Sequence, residues 1–144
     1  MDTYILTPEQ FLQNYNELAS HIQSALDHGT GKTTIIDITK KILEGQAQCW
    51  VTLKDSSLLN ISVTEPIQWE GDRVMHLITT TAVNGEFDSF KDAHYELEKF
   101  SKEIGCSRIV FWGRPGWAKR LKKFKGHNNN YEQAYVVMSL DLGT

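Results

Sequence analysis

The stretch RVMHLITTTAVNGEFDSFKDAHYELEKFSKEIGCSRIVFW, residues 73–112, decides the fold of this chain. RVMHLITTTAV is apolar and β-branched, which is typical of a strand, and NGEFD breaks that pattern. SRIVFW, residues 107–112, is a short apolar strand of the kind found at the centre of a sheet. Between the two strands, apolar residues recur at helical spacing and Gly105 is a suitable stop. These residues are Phe90, Ala93, Leu97, Phe100 and Ile104. We therefore expect strand 73–82 to lie parallel to strand 107–112, with a helix over residues 89–103 crossing between them.

The residues before this crossover predict a strand and then two helices. YIL, residues 4–6, is a short strand candidate, and TPEQ after it has the pattern of a capping box with proline at the first helical position. Apolar residues then recur at helical spacing as far as Leu26, so one helix is expected, with Gly29 as its stop. A second helix is expected to start near Thr34 and to end at Gly45.

Two alternating segments and a turn between them predict a hairpin. AQCWVTLK, residues 47–54, and LLNISVTE, residues 58–65, alternate between apolar and polar residues, and DSS separates them. Pro66 is expected to end the second strand, because proline cannot donate a backbone hydrogen bond to a neighbouring strand.

The last part of the chain predicts one more helix and one more strand. GRPGWAKRLKKF, residues 113–124, turns into a short basic helix, and EQAYVVMSLDL, residues 132–142, is the last strand. The predicted order is β-α-α-β-β-β-α-β-α-β. This order predicts a single α/β (α+β) domain over residues 1–144, with a mixed, mostly antiparallel sheet and helices on both faces.

Composition favours a soluble globular protein of the cytoplasm. The chain has 144 residues, 40% of them hydrophobic, and no apolar run approaches the length of a membrane span. Its first residues, MDTYILTPEQ, lack the basic and apolar regions of a signal peptide. Cys49 and Cys106 stand far apart in apolar contexts, so we interpret them as buried, reduced thiols. The expected location is the cytoplasm of the host cell, or a particle assembled there.

Positive charge is concentrated in one segment of an otherwise acidic chain. The net charge is −3, yet residues 114–125 hold six of the fifteen Lys and Arg residues. Nucleic acid is therefore not the expected partner of the whole molecule. The basic segment is either a solvated helix face or a surface that attracts phosphates or an acidic partner. Arg114 is expected at the carboxyl end of a strand, where open α/β sheets usually hold their sites.

Several familiar site patterns do not fit the sequence. GTGKTT, residues 29–34, has the wrong glycine spacing for a phosphate-binding loop and follows a helix instead of a strand. The five histidines show no metal-ligand spacing, so no metal site is expected. His76 is either an ordinary strand histidine or a general base facing a cleft.

Taken together, the element order and these segments resemble the GNAT (N-acetyltransferase) fold. YILTPEQF resembles its first strand and helix, CWVTLKDSSLLNISVTE its central hairpin, and FKDAHYELEKFSKEIGCSRIVF its cofactor-side helix and following strand. The segment Gly105-Cys106, Ile109, residues 113–117 (GRPGW) and Leu121 is similar to one in divergent phage and prophage GNAT-like proteins. The resemblance implies a bacteriophage origin and a protein that could be a virion component.

The resemblance also implies an acetyl-CoA site that this sequence matches poorly. GNAT enzymes hold the cofactor diphosphate on a Gln/Arg-x-x-Gly-x-Gly/Ala loop at a helix N-terminus. The corresponding residues here, 80–90, are TTAVNGEFDSF, with one glycine, no basic residue and the carboxylates of Glu86 and Asp88. The tyrosine that many family members use as general acid has no counterpart in residues 118–126.

Two functions remain open from the sequence. The first is a GNAT-fold protein without acetyltransferase activity and without a cofactor, which binds other proteins or takes part in virion assembly. Its partner-binding residues would be Arg114, Trp117, Lys119, Arg120, Lys122 and Lys123. The alternative is an active acyl-CoA-dependent N-acetyltransferase with a divergent cofactor loop. In that case His76 or Glu65 would be the base, and Arg114, Lys122 and Lys123 would bind acetyl-CoA. The sequence leaves the acyl acceptor, the partner and the oligomeric state open.

Overall fold

The computed structural model describes residues 1–27, 33–83 and 88–112, together with Tyr131, Leu140, Leu142 and Gly143. The contacts divide the chain into two compact units, Met1–Trp112 and Gly113–Thr144. The fold given below is that of the first unit, and the single domain expected from the sequence stays a prediction. The predicted basic helix over residues 113–124 lies outside the described residues, as does nearly all of the predicted last strand.

The first unit contains a mixed sheet and helices in the predicted order, except that the first predicted helix is divided into two. Its described elements are β1 (Asp2–Ile5), α1 (Pro8–Gln13), α2 (Tyr15–Asp27), α3 (Ile35–Leu43), β2 (Gln48–Lys54), β3 (Ser57–Trp69), β4 (Asp72–Ala82), α4 (Asp88–Glu103) and β5 (Arg108–Phe111). The strands lie in the order β1-β2-β3-β4-β5. Neighbours from β1 to β4 are antiparallel, and β5 is parallel to β4, with Val74 opposite Arg108 and Leu77 opposite Phe111. The predicted fold class and the β4-α4-β5 crossover are both confirmed.

The start of the first helix agrees with the capping-box prediction, but its length does not. Thr7 Oγ1 accepts a hydrogen bond from the Gln10 backbone N–H at 3.1 Å, and the Thr7 N–H donates to Gln10 Oε1 at 2.9 Å. The single helix expected as far as Leu26 is interrupted at Asn14. The Asn14 side chain donates to the Gln10 carbonyl at 2.9 Å. A side chain that bonds to a nearby carbonyl competes with the helix for that acceptor, and hydrophobic spacing does not reveal such a break.

The hairpin between β2 and β3 is confirmed, whereas the expected end of β3 is wrong. Asp55 and Ser56 form its two-residue turn, both with positive φ (51° and 66°), as the twist of such hairpins requires. β3 continues through Pro66 to Trp69. β2 ends opposite Thr64, so from Glu65 onwards β3 has a strand partner on one side only among the described strands. A proline is tolerated there, because its missing N–H leaves no neighbour unpaired.

The two faces of the sheet are packed in different ways. Helices α1–α3 cover one face with an apolar core in which Phe11, Ile22, Ile38 and Val63 are all buried. Helix α4 covers the other face, where buried polar side chains bond to one another. Ser62 Oγ lies 2.9 Å from both Asn60 Oδ1 and Thr80 Oγ1, and Thr3 Oγ1 lies 2.7 Å from Thr52 Oγ1. Every buried side-chain nitrogen or oxygen of the described residues has a hydrogen-bond partner.

The cysteines are both free, but only one is fully buried. Burial raises the pKa of the Cys49 thiol to about 12, so this residue is an unreactive core thiol. Cys106 is only half-buried, contrary to expectation, because it follows Gly105 in the turn after α4. Among the described residues, no helix has both the length and the apolar character needed to cross a membrane.

Candidate functional site

The two candidate bases, Glu65 and His76, lie side by side on the sheet. Glu65 of β3 is directly opposite His76 of β4 in the antiparallel register. Side chains at opposite positions share one face of a sheet, with Cβ atoms about 5 Å apart. Helix α3 covers this face, and Lys41 of that helix reaches Glu65. The structure therefore brings together the two residues that the sequence singled out separately.

The carboxylate of Glu65 is held in an ion pair. Lys41 Nζ lies 3.0 Å from Glu65 Oε1, and the Glu65 side chain is only 15% exposed against 41% for Lys41. A charge-assisted hydrogen bond of this length is stronger than one between neutral groups. Lys41 was not among the predicted site residues. Its place in the last turn of α3 is readable from the sequence, but its partner on β3 is not.

The imidazole of His76 lies under an aromatic ring. The ring centre of Trp112, the residue after β5, is 4.0 Å from that of His76, and Trp69 meets Trp112 edge-on at 6.2 Å. Burial, with a smaller contribution from the positive charge of Lys41, lowers the pKa of His76 to about 4. His76 is therefore neutral near pH 7.

The outer rim of this cluster carries one further cation. The Arg108 guanidinium lies over the Trp69 ring, 5.0 Å from its centre. Arg108 Nη2 also lies 3.4 Å from Asp72 Oδ2, where both side chains are largely exposed. An exposed ion pair of this kind contributes little to stability. We call Lys41, Glu65, Trp69, His76 and Trp112 the His76 cluster.

The His76 cluster is poorly suited to removing a proton from an amine. A general base works best when its pKa lies near the working pH. His76 has a pKa of about 4, whereas a lysine-type ammonium group has an ordinary pKa of about 10.4. Glu65 already shares its charge with Lys41 at 3.0 Å. The cluster therefore combines a weak base with a carboxylate that already has a partner, which is a poor arrangement for taking a proton from an amine.

The described hydroxyl side chains at the β4–α4 junction are not free to bind a diphosphate. Their polar side chains are engaged within the fold: Thr80 with Ser62, Thr81 with the His21 carbonyl at 3.5 Å, and Ser89 with the Leu59 carbonyl at 3.3 Å. One exposed cation, Lys91, lies in the first turn of α4, and a carboxylate, Asp92, follows it directly. Apart from Lys91, these side chains add no free donor to the backbone N–H groups of the helix N-terminus, which are the groups that hold a diphosphate in such a site.

The remaining predicted site residues lie outside the described part of the chain. These are Arg114, Trp117, Lys119, Arg120, Lys122 and Lys123. Their roles stay predictions. Within the residues that the structure describes, no three His, Cys, Asp or Glu side chains are grouped as a metal ion would require.

Comparison with known proteins identifies the fold through structure alone. No family model matches the sequence, and no curated protein matches it. A ribosomal-protein-alanine N-acetyltransferase from Brucella melitensis is similar in structure, with a TM-score of 0.64, 13% identity, and 98% of this chain and 100% of the other covered. An aminoglycoside acetyltransferase from an uncultured soil metagenomic sample, in complex with sisomicin, has a TM-score of 0.72 at 10% identity, covering 98% and 95%. A GNAT family acetyltransferase from Staphylococcus aureus has a TM-score of 0.64 at 14% identity, covering 98% of each chain. The chain therefore has a GNAT-like acetyltransferase fold.

Proposed function

We propose that this chain is a binding protein on an acetyltransferase-type fold and that it does not use acetyl-CoA as an acyl donor. The observation that supports this most is the state of the His76 cluster. Burial lowers the pKa of His76 to about 4, which makes it a weak base, and Trp112 covers its ring, while Glu65 is paired with Lys41. Both residues that would serve as a base in an enzyme are thus already in contact with other side chains of the fold. Fold alone does not decide function, since one fold carries many activities.

The region where acetyl-CoA would bind supports the same proposal. Glu86 and Asp88 stand in the sequence where the GNAT resemblance expects a cofactor diphosphate. Two unit charges about 4 Å apart repel by roughly 4 kcal/mol at an effective dielectric constant near 20. A micromolar affinity corresponds to about 8 kcal/mol, so this repulsion would remove a large part of it. The engaged threonines and Ser89 at the same junction supply no compensating donors.

We expect acetyl-CoA to bind with a dissociation constant weaker than about 100 μM, which corresponds to about 5.5 kcal/mol. Isothermal titration calorimetry at low salt measures this directly. The matched variant Glu86→Gln with Asp88→Asn should bind more tightly than wild type, because it removes both negative charges and keeps the side-chain sizes. If the wild type binds acetyl-CoA with micromolar affinity and Lys122→Glu or Lys123→Glu abolishes that binding, the proposal is wrong and the chain is an acetyl-CoA-dependent enzyme.

An active N-acetyltransferase is the second candidate function. The direct opposition of Glu65 and His76 on β3 and β4 is the observation that favours it. In that case Glu65 or His76 would accept the amine proton, and Arg114, Lys122 and Lys123 would hold the phosphates of acetyl-CoA. If the wild type acetylates amines in the presence of acetyl-CoA, and both Glu65→Gln and His76→Phe lose this activity, the chain is an active N-acetyltransferase.

For the binding function, we propose that residues 113–124 (GRPGWAKRLKKF) dock on an acidic protein surface. Exchanging both charges in Lys122→Glu with Lys123→Glu should change stability by about 0.5 kcal/mol per site or less. The same exchange should weaken association with the partner, and association of the wild type should weaken with salt. A pull-down or a particle-incorporation assay compares the two proteins. If the double variant associates as well as wild type and only Trp117→Ala fails, the segment has a structural role. A phage origin and a virion role stay predictions from the sequence resemblance.

A further inference from the structure

A groove between strand β1 and helix α4 forms a second surface, separate from the His76 cluster. Its cavity has a volume of about 280 Å³. Residues 3–5 of β1 form one side, Trp50 of β2 and Phe100 of α4 supply aromatic surface, and three charged residues of α4 complete the lining. The groove therefore has a strand on one side and a helix on the other.

Within the part of the chain that the structure describes, some backbone hydrogen-bonding groups of β1 beside this groove have no partner. β1 is the terminal strand of the described sheet, and β2 is its neighbour there. The Leu6 N–H donates to the Cys49 carbonyl at 2.9 Å, so Leu6 and, two residues earlier, Tyr4 face β2. Main-chain groups alternate in direction along a strand. The N–H and C=O groups of Thr3 and Ile5 therefore point away from β2, as an added strand would require.

The charges of the groove favour a basic ligand. Glu96 and Glu103 both line it, and Lys99 lies between them on the helix. One lysine against two glutamates leaves the helix side of the groove with a net negative charge. Trp50 is 5% exposed and meets Phe100 edge-on at 5.5 Å, so these rings give a fixed apolar floor.

We propose that an extended, basic peptide segment of a partner protein adds to β1 as a further strand and lies in this groove. Its backbone forms hydrogen bonds with Thr3 and Ile5, and these bonds contribute affinity that does not depend on the amino-acid sequence of the peptide. Side chains at alternate positions face α4, where lysine or arginine meets Glu96 and Glu103. The proposal rests on the binding function above. It adds a second binding surface and identifies the ligand of that surface as an extended, basic peptide.

The test uses a short synthetic peptide in which lysine and threonine alternate, titrated into the full chain by calorimetry. Glu96→Lys with Glu103→Lys should weaken binding about tenfold, because each exchange replaces an ion pair with the peptide by a repulsion between like charges. The matched comparison is Glu103→Lys alone against Asp92→Lys, because both change one charge and Asp92 is an exposed carboxylate of the same helix outside the groove. Asp92→Lys should bind within about twofold of wild type, whereas Glu103→Lys should bind more weakly. An equal loss in both variants would show a general charge effect and overturn the proposal.

A second comparison isolates the backbone contribution. The same peptide with alternate amide nitrogens methylated keeps its charge but cannot pair with β1 and should lose binding. Hydrogen exchange of the Thr3 and Ile5 amides should slow when the unmodified peptide is bound. Equal binding of the methylated peptide, or of one with glutamate in place of lysine, would overturn the proposal. So would self-association that the Glu96 and Glu103 exchange abolishes, because a second copy would then occupy the groove. These measurements involve no acetyl-CoA, so its binding would count against the proposed function alone.

Discussion

Replacing Trp50 by alanine is expected to lower the free energy of unfolding by about 3–5 kcal/mol, the range for large buried aromatic residues. Trp50 lies in β2 under α4 and is 5% exposed. Its ring packs edge-on against Phe100 at 5.5 Å. Its Nε1–H donates to Thr64 Oγ1 at 2.9 Å, and that hydroxyl donates to Gln48 Oε1 at 2.8 Å. The truncation would remove the contact between sheet and helix and one buried hydrogen bond together.

Trp50→Phe separates these two contributions. Phenylalanine keeps an aromatic ring against Phe100 but has no N–H for Thr64, so a loss of about 1–2 kcal/mol is expected. Urea denaturation followed by far-ultraviolet circular dichroism measures both variants against wild type. If Trp50→Phe loses as much stability as Trp50→Ala, the hydrogen-bond chain through Thr64 and Gln48 is the dominant contribution and our packing argument is wrong.

The sequence was sufficient for the parts of the fold that depend on local periodicity. The parallel pairing of residues 73–82 with 107–112 followed from two strand patterns around one helical pattern, and the structure shows it as β4, α4 and β5. The DSS turn and the Thr7 capping box were readable because each places specific residue types at fixed positions. These signals concern neighbours in the chain, which a sequence displays directly.

Three features that the sequence missed depend on contacts between separate elements. Pro66 was expected to end β3, but whether a proline is tolerated depends on the strand that would face its nitrogen. Glu65 and His76 were both candidates, yet their opposition follows from the register of β3 and β4, which contains an irregularity between Val63 and Thr64. The pairing of Lys41 with Glu65 joins residues from separate elements. Pattern analysis therefore identified Glu65 and His76, but it did not identify Lys41, Trp69 or Trp112 beside them, or how these side chains contact one another.

The second prediction concerns pH. Between pH 6.5 and 4.5 the wild-type protein should lose about 2 kcal/mol more stability than His76→Phe. The pKa of His76 is lowered in the folded protein to about 4, chiefly by burial and then by Lys41, whereas an unfolded histidine has a pKa of about 6.5. Above pH 6.5 His76 is neutral in both the folded and the unfolded state, so its effect on the free energy of unfolding no longer changes with pH. As the pH falls below 6.5, His76 becomes protonated in the unfolded chain but stays neutral in the folded protein. The free energy of unfolding therefore decreases progressively down to about pH 4.

A second histidine makes the paired comparison necessary. Burial also lowers the pKa of His94, against the opposing effect of Glu98 at 3.1 Å, so His94 is a further source of acid sensitivity in the wild type. Phenylalanine at position 76 can pack against Trp112 without a titrating group, and it leaves the contribution of His94 in place. Urea denaturation at pH 6.5 and 4.5 gives the difference between the two proteins, and nuclear magnetic resonance follows the His76 ring. A ring that titrates near pH 6.5, together with parallel stability losses in both proteins, would mean that water reaches His76. In that case Trp112 would not cover the imidazole, and the main argument against His76 as a general base would fail with it.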